Sequence, residues 1–140
     1  VQLKPLMSFS RADASAWIAD YERAWRTAGS EPLRGLFTED ATYRMSPYEE
    51  AAVGLAEIAV LWERERQGAD EQFTMVHEVV AVDGDTAVVR LEVQYGSPER
   101  LQYRDLWILR FAADGRCRAF EEWPFWPGQQ IVAEGKRASD

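Results

Sequence analysis

Asp105 is the residue of greatest chemical interest in this chain. In the run LQYRDLWILRF (101–111), alternation places Tyr103, Asp105, Trp107, Leu109 and Phe111 on one face and Arg104, Leu106, Ile108 and Arg110 on the other. The aromatic face is the inner one. A carboxyl group beside Trp107 is then poorly solvated, which raises its pKa and leaves it either a protonated donor or a base poised near neutral pH. The competing reading is an aspartate at the wet end of the strand, paired with an arginine. Glu122 is a second carboxylate among aromatics, and Tyr21 and Tyr43 supply phenols. Together these four are equipment for moving protons.

Other chemistry-bearing residues are fewer. His77 shares the parity of Phe73 and Met75 and so faces inward. Such a residue is more often a satisfied core or rim histidine than a base, but it stays among the catalytic candidates. Cys117 lies in a strand between arginines, where a lone thiol serves packing more often than attack. Glu49 and Glu50 are adjacent loop carboxylates, usually solvated, and a metal needs convergent ligands, so no metal is expected. There is no phosphate-cradling glycine loop, no GxSxG elbow and no HExxH, which sets aside nucleotide, serine-hydrolase and zinc-protease chemistry. No cofactor is expected.

The chain has 140 residues, 16 Lys+Arg against 24 Asp+Glu, and a net charge of -8. Its acidity repels phosphate backbones and anionic lipid, so neither nucleic acid nor a membrane is an expected partner. With 46% apolar residues and six Trp, five Tyr and six Phe, one substantial core is expected. One cysteine cannot form an internal disulfide, and no apolar run reaches membrane length or makes a signal core, which points to the cytoplasm.

The elements that must position these groups follow from periodicity. Residues 11–28, entered through Ser10 and Asp13, read as an amphipathic helix carrying Trp17, Ile18, Tyr21 and Trp25. Ser30 and Pro32 start a short second helix with Leu33, Leu36 and Phe37 inward, and ATYRMS (41–46) reads as a strand closed by Pro47. Residues 54–66 form a third helix with Leu55, Ile58, Leu61 and Trp62 on one stripe and Glu63, Arg64, Glu65 and Arg66 elsewhere.

From Gln72 the period becomes two, with turns at Asp83-Gly84, Gly96-Ser97-Pro98 and Asp114-Gly115, which spells an antiparallel meander. Val89, Leu91, Val93 and Tyr95 face inward, and Arg90, Glu92 and Gln94 outward. For residues 116–126 the arginines send Cys117, Ala119, Glu121 and Trp123 inward, yet Phe120 and Glu122 have the opposite parity, so periodicity leaves that strand open. Leu106 and Ile108 on the outer face suggest a partner sheet. Residues 1–10 read as an extension, 11–126 as one α+β domain, and 127–140 as a flexible tail.

The strings YERAWRTAGSEPLRGLFTEDATY, SPYEEAAVGLAEI, AVDGDTAVVRLEVQY and YRDLWILRFAADGRCRAFEEWPFW, spanning 11–126, resemble the nuclear transport factor 2-like superfamily and its SnoaL-like branch. The resemblance implies a cone-shaped α+β barrel, with three N-terminal helices packed in the concave face of a curved antiparallel sheet around an apolar pocket. It also implies a homodimer joined through the outer sheet face. Reaction type varies widely on this fold.

Set against ketosteroid isomerases, the family's catalytic tyrosine falls on Tyr21. Its general-base aspartate falls on Met45 and its oxyanion-donating acid on Trp107, which makes that mechanism improbable here. Against limonene epoxide hydrolase, a tyrosine falls on Tyr43, the last-strand aspartate on Glu122, and a water-holding asparagine on Met45. That family's Arg-x-Asp meets Arg90 and Glu92, whose parity is outward. Both relatives place Phe120 and Glu122 toward the pocket. Polyketide cyclases of the branch use an acidic residue for proton transfer, a role open to Asp105 or Glu122.

The resulting expectation is a cofactor-free isomerase, cyclase or dehydratase acting on a small, hydrophobic, oxygenated molecule. Asp105 and Glu122 share acid and base work, Tyr21 donates to a developing oxyanion, and Trp17, Tyr43, Met45, Trp107 and Phe120 form the walls. The alternatives are a non-catalytic binding or dimerisation module and, third, an epoxide hydrolase.

Overall fold

A computed structural model describes residues 9–66, 72–96 and 101–129. Helix α1 (Arg11–Trp25) starts at a reciprocal cap: the Asp13 amide donates to the Ser10 hydroxyl, and the Ser10 amide to the Asp13 carboxylate. It ends three residues before the expected boundary because the Arg26 and Thr27 amides and the Thr27 hydroxyl take up its last carbonyls. Phe9, inside the expected extension, stacks on Phe111 at 3.8 Å and so belongs to the domain. Residues 1–8, the turn residues Ser97 and Pro98, and the tail beyond Gln129 lie outside the described residues.

Helix α2 (Leu33–Leu36) is a single turn, and Phe37 already opens strand β1 (Phe37–Arg44). The two-residue strand β2 (Ala52–Val53) precedes helix α3 (Leu55–Glu65) and has no sequence signal of its own. The meander follows as β3 (Phe73–Asp83), β4 (Thr86–Tyr95), β5 (Leu101–Phe111) and β6 (Cys117–Phe125). Sheet order is β2-β1-β6-β5-β4-β3. The meander is antiparallel as expected, whereas β1 runs parallel to β6, so the six-stranded sheet is mixed, and it is open rather than closed.

Bulges in β3 and β6 shape the sheet. In β3, Val79 and Ala81 pair with adjacent residues of β4, leaving Val80 extra, and the Arg11 guanidinium donates to the carbonyls of Val79 and Val80. An extra residue bends and twists its strand. In β6, Arg118 is the extra residue, because Phe111 pairs with Cys117 and Arg110 with Ala119. This resolves the ambiguous strand. Cys117 and Phe120 are both buried, on opposite sides of one parity reset. The charge pattern holds before the bulge and the relatives' pattern after it.

The core lies between α1, α3 and the inner sheet face. Trp17, Ile18, Tyr21, Phe37, Ile58, Trp62, Leu91, Leu109 and Phe120 are buried there. Arg66 departs from expectation. Its position lies off the apolar stripe of α3, yet it is only 6% exposed. Its guanidinium donates to the carbonyls of Ala24, Trp25, Thr27 and Gly29 and to the Glu63 carboxylate, so it closes the C-terminal end of α1. No helix among the described residues is long and apolar enough to cross a membrane.

Candidate active site

Strands β5 and β6 pair Trp107 with Glu122 and Asp105 with Pro124, so the two acids are diagonal neighbours on the inner face. They line a cavity of about 360 Å³ that also takes walls from Tyr21, Tyr43, Met45 and Trp107. Asp105 is 6% exposed, and among the described residues neither its Oδ1 nor the indole Nε1 of Trp107 makes a well-formed hydrogen bond. Of the two readings of Asp105, the inward one is correct. Among the described residues no arginine salt-bridges it.

Above this pair runs a chain of hydroxyls. Tyr43 donates to Glu122 Oε1 at 2.9 Å, and the hydroxyls of Tyr21 and Tyr43 are 3.3 Å apart. Because Tyr43 has one proton and spends it on Glu122, Tyr21 is the donor to Tyr43. The Tyr21 proton is therefore directed along the chain and not into the cavity. Burial, followed by the Glu122 charge, holds both phenols well above their ordinary pKa, so they remain donors at neutral pH.

The acids are pushed the same way to different extents. Desolvation raises Asp105 to about 6, opposed by the polar neighbours Trp107 and Glu122 and by the Phe125 backbone. Glu122 is raised to about 8, first by desolvation and then by the charge of Asp105, with the Tyr43 hydroxyl pulling against both. Both carboxyls are thus held above the ordinary carboxylate range, and because each bears on the other the pair loses its protons in coupled steps.

The other expected residues are placed as follows. Trp17 donates its indole N–H to the Leu36 carbonyl at 2.9 Å and fills the core, outside the cavity lining. Phe120 lies under the site, its ring 4.4 Å from Tyr43 and 4.9 Å from Trp107, and supports the walls without forming one. His77 Nε2 is 3.1 Å from the Ser15 hydroxyl, where it ties β3 to α1 away from the cavity lining. Cys117 is a packed thiol that burial pushes up to about 12. Arg90 points outward and pairs with Glu78, and Glu92 likewise pairs with Arg104, so the Arg-x-Asp arrangement of the epoxide hydrolase reading is not assembled there.

Among the described residues no group of three or more His, Cys, Asp and Glu side chains converges as a metal site. Sequence reasoning missed Glu65, Pro124 and Trp126, which also line the cavity. Glu65 lies on the charged side of α3, and Pro124 and Trp126 sit past the bulge that reset parity. Only the curvature of the sheet brings them to this wall.

The SnoaL-like domain model matches residues 18–120. No curated protein matches the sequence. Solved structures do share the fold. SalBIII, an epoxide hydrolase/cyclase-like enzyme with a role in pyran ring formation in the polyether salinomycin, is 15% identical at a TM-score of 0.67, over 83% of this chain and 93% of its own. A Kribbella flavida DSM 17836 protein with a proposed ketosteroid isomerase assignment is 21% identical at 0.61, over 91% and 84%. A Jannaschia sp. CCS1 protein with a proposed SnoaL-like polyketide cyclase assignment is 15% identical at 0.62, over 89% and 90%. At these identities the likeness concerns architecture, not reaction. With the family model covering most of the chain, and the cone of helices and curved sheet matching those structures, this protein belongs to the SnoaL-like domain family.

Proposed function

We propose that this chain is a cofactor-independent acid/base enzyme of the isomerase, cyclase or dehydratase type, acting on a hydrophobic, oxygenated small molecule in the inner cavity. The observation that carries this reading is the Asp105–Glu122 pair, a buried and a half-buried carboxyl on the wall of one cavity, both held above the ordinary carboxylate range by desolvation. Asp105, ionised at neutral pH, is the base that removes a proton from carbon or hydroxyl. Glu122 is the acid that protonates the oxygen on which charge develops, and it recovers its proton through the same pair. Tyr43 fixes the orientation of Glu122, and Tyr21 fixes Tyr43. The apolar walls exclude water, which strengthens each of these interactions in the transition state.

The test does not need the natural substrate. An enolisable hydrophobic ketone incubated with the protein in D₂O should take up deuterium at its α-carbon, read by NMR. Asp105→Asn should slow that exchange by about 10²–10⁴, the usual worth of a positioned base. Exchange at the wild-type rate in both Asp105→Asn and Glu122→Gln would remove the pair from the mechanism. Ligand binding with no exchange would favour the non-catalytic module.

On the outer face, Leu106 pairs with Trp123, and Ile108 lies on the same side of β5. We propose that a second copy of the chain covers this strip, since an apolar strip on a sheet face is a common interface. Sedimentation should then give a dimer for the wild type and a monomer for Leu106→Glu.

A further inference from the structure

Two polar atoms at the wall of the inner cavity are left over once the proton relay is assigned. Tyr21, Tyr43 and Glu122 Oε1 satisfy one another in order. Asp105 Oδ1 and Trp107 Nε1 remain. Both belong to cavity-lining residues no more than 6% exposed, and among the described residues neither atom makes a well-formed hydrogen bond. One is an acceptor, and the other, an indole N–H, can only donate. The two residues share the inner face of β5, and Trp107 is a polar neighbour of the Asp105 carboxylate. A strand rises about 3.3 Å per residue, so such neighbours stand roughly 6.6 Å apart along it, a gap that one oxygen atom with a hydrogen bond of about 2.8 Å on either side spans. A buried donor or acceptor left empty is costly, and this wall carries one of each side by side.

We infer that the inner cavity holds its ligand by a hydroxyl seated between Trp107 and Asp105, which makes the substrate class a compact, uncharged alcohol. The inference rests on the inner cavity being the reaction site and names what that site takes. A hydroxyl both accepts and donates, so it takes the indole N–H on a lone pair and gives its own proton to Oδ1. A ketone or ether oxygen accepts from Trp107 and leaves Asp105 Oδ1 empty. A carboxylate does the same and sets a further negative charge against Asp105 and Glu122, where desolvation already disfavours the charged form of both acids. Seating the hydroxyl asks little of the fold. Among the described residues no arginine holds the Asp105 carboxylate, and the terminal torsion of an aspartate is broad. The cavity, about 360 Å³, is at the small end for ligand sites and is walled elsewhere by Trp25, Phe73, Met75, Val93 and Tyr103, which suits a body of one or two fused hydrocarbon rings.

The experiment compares β-tetralol, β-tetralone and tetralin, which put a hydroxyl, a carbonyl and neither on one bicyclic skeleton, by isothermal titration calorimetry on the full chain. The wild type should bind the alcohol about tenfold more tightly than the ketone, because only the alcohol fills Oδ1. Trp107→Phe keeps a ring and removes the N–H. It should weaken alcohol and ketone alike by about tenfold relative to tetralin. Asp105→Asn should erase the advantage of alcohol over ketone, since the amide donates to a carbonyl as readily as it accepts from a hydroxyl. Retained tetralin binding and an unchanged far-UV circular dichroism spectrum show that each variant still folds. The inference is overturned by a wild type that fails to bind the alcohol, or that binds the ketone as tightly. It is overturned equally by an alcohol advantage that survives Asp105→Asn, or by an equal loss of all three ligands in Trp107→Phe, which leaves the indole as a wall and nothing more. Catalysis is read separately, as deuterium uptake at the α-carbon of β-tetralone. Alcohol preference without exchange keeps the ligand class and removes the reaction, whereas exchange without alcohol preference keeps the reaction and removes the ligand class.

Discussion

Arg66 and Asp105 are each 6% exposed, and they are buried in opposite ways. Arg66 is enclosed by four main-chain carbonyls and the Glu63 carboxylate, leaving only its Nε without a partner. Asp105 has aromatic residues around it, and among the described residues its Oδ1 accepts no well-formed hydrogen bond, with Trp107, Glu122 and the Phe125 backbone as its polar neighbours. A buried charge costs several kcal/mol unless it is paired and hydrogen-bonded. Around Arg66 the fold offsets that cost, so the guanidinium acts as a fastening between α1 and α3. Around Asp105 the cost is left standing as a raised pKa. The difference separates a group kept for structure from one kept for proton transfer.

The contrast is broken most severely at Arg66. Arg66→Ala should destabilise the domain by about 3 kcal/mol or more in urea unfolding, since several carbonyls at the end of α1 lose their donor in a dry place. Removing the buried charge at the other site should have the opposite sign. Both acids are raised in the folded state from ordinary values of 3.8 and 4.5. Their contribution to stability is therefore fully present below about pH 4 and is lost as pH rises through about 6 and then about 8. Glu122→Gln should accordingly unfold at higher urea than the wild type at pH 9, by on the order of 2 kcal/mol, and show little difference at pH 4. A variant less stable than the wild type at both pH values would place Glu122 with Arg66, as a structural group.

Tyr43→Phe is a finer probe. Its hydroxyl pulls the pKa of Glu122 down, so its removal should raise the Glu122 titration by about one unit, the worth of one hydrogen bond to a charged group. The smallest effect belongs to Arg90→Ala, which removes an exposed pair with Glu78 on the outer face. Stability should change by less than about 0.5 kcal/mol and deuterium exchange not at all. A large loss of exchange would return Arg90 to the mechanism.

Much of this was legible in the sequence wherever one strong period governed an element. The inward set of β5, with Asp105 among the aromatics, and the outward placing of Arg90 and Glu92 on β4 follow from alternation alone. Periodicity is blind to an inserted residue, so Cys117 and Phe120 conflict in any reading without the bulge at Arg118. It is equally blind to a long polar side chain folding back. Arg66 reads as part of a solvated helix end, and only the approach of the α1 terminus gives it partners. The relay from Tyr21 through Tyr43 to Glu122 joins residues 22 and 79 positions apart. Each was identifiable as a candidate by type, but their order along the relay comes from sheet curvature and from the parallel pairing of β1 with β6.

The most direct measurement is a ¹³C NMR titration of the side-chain carboxyls of Asp105 and Glu122. Two coupled steps are expected, one near 6 and one near 8, with about one proton held by the pair at pH 7. Both carboxyls titrating together near pH 4, as solvated acids do, would contradict the account and leave the cavity without an acid or a base at neutral pH.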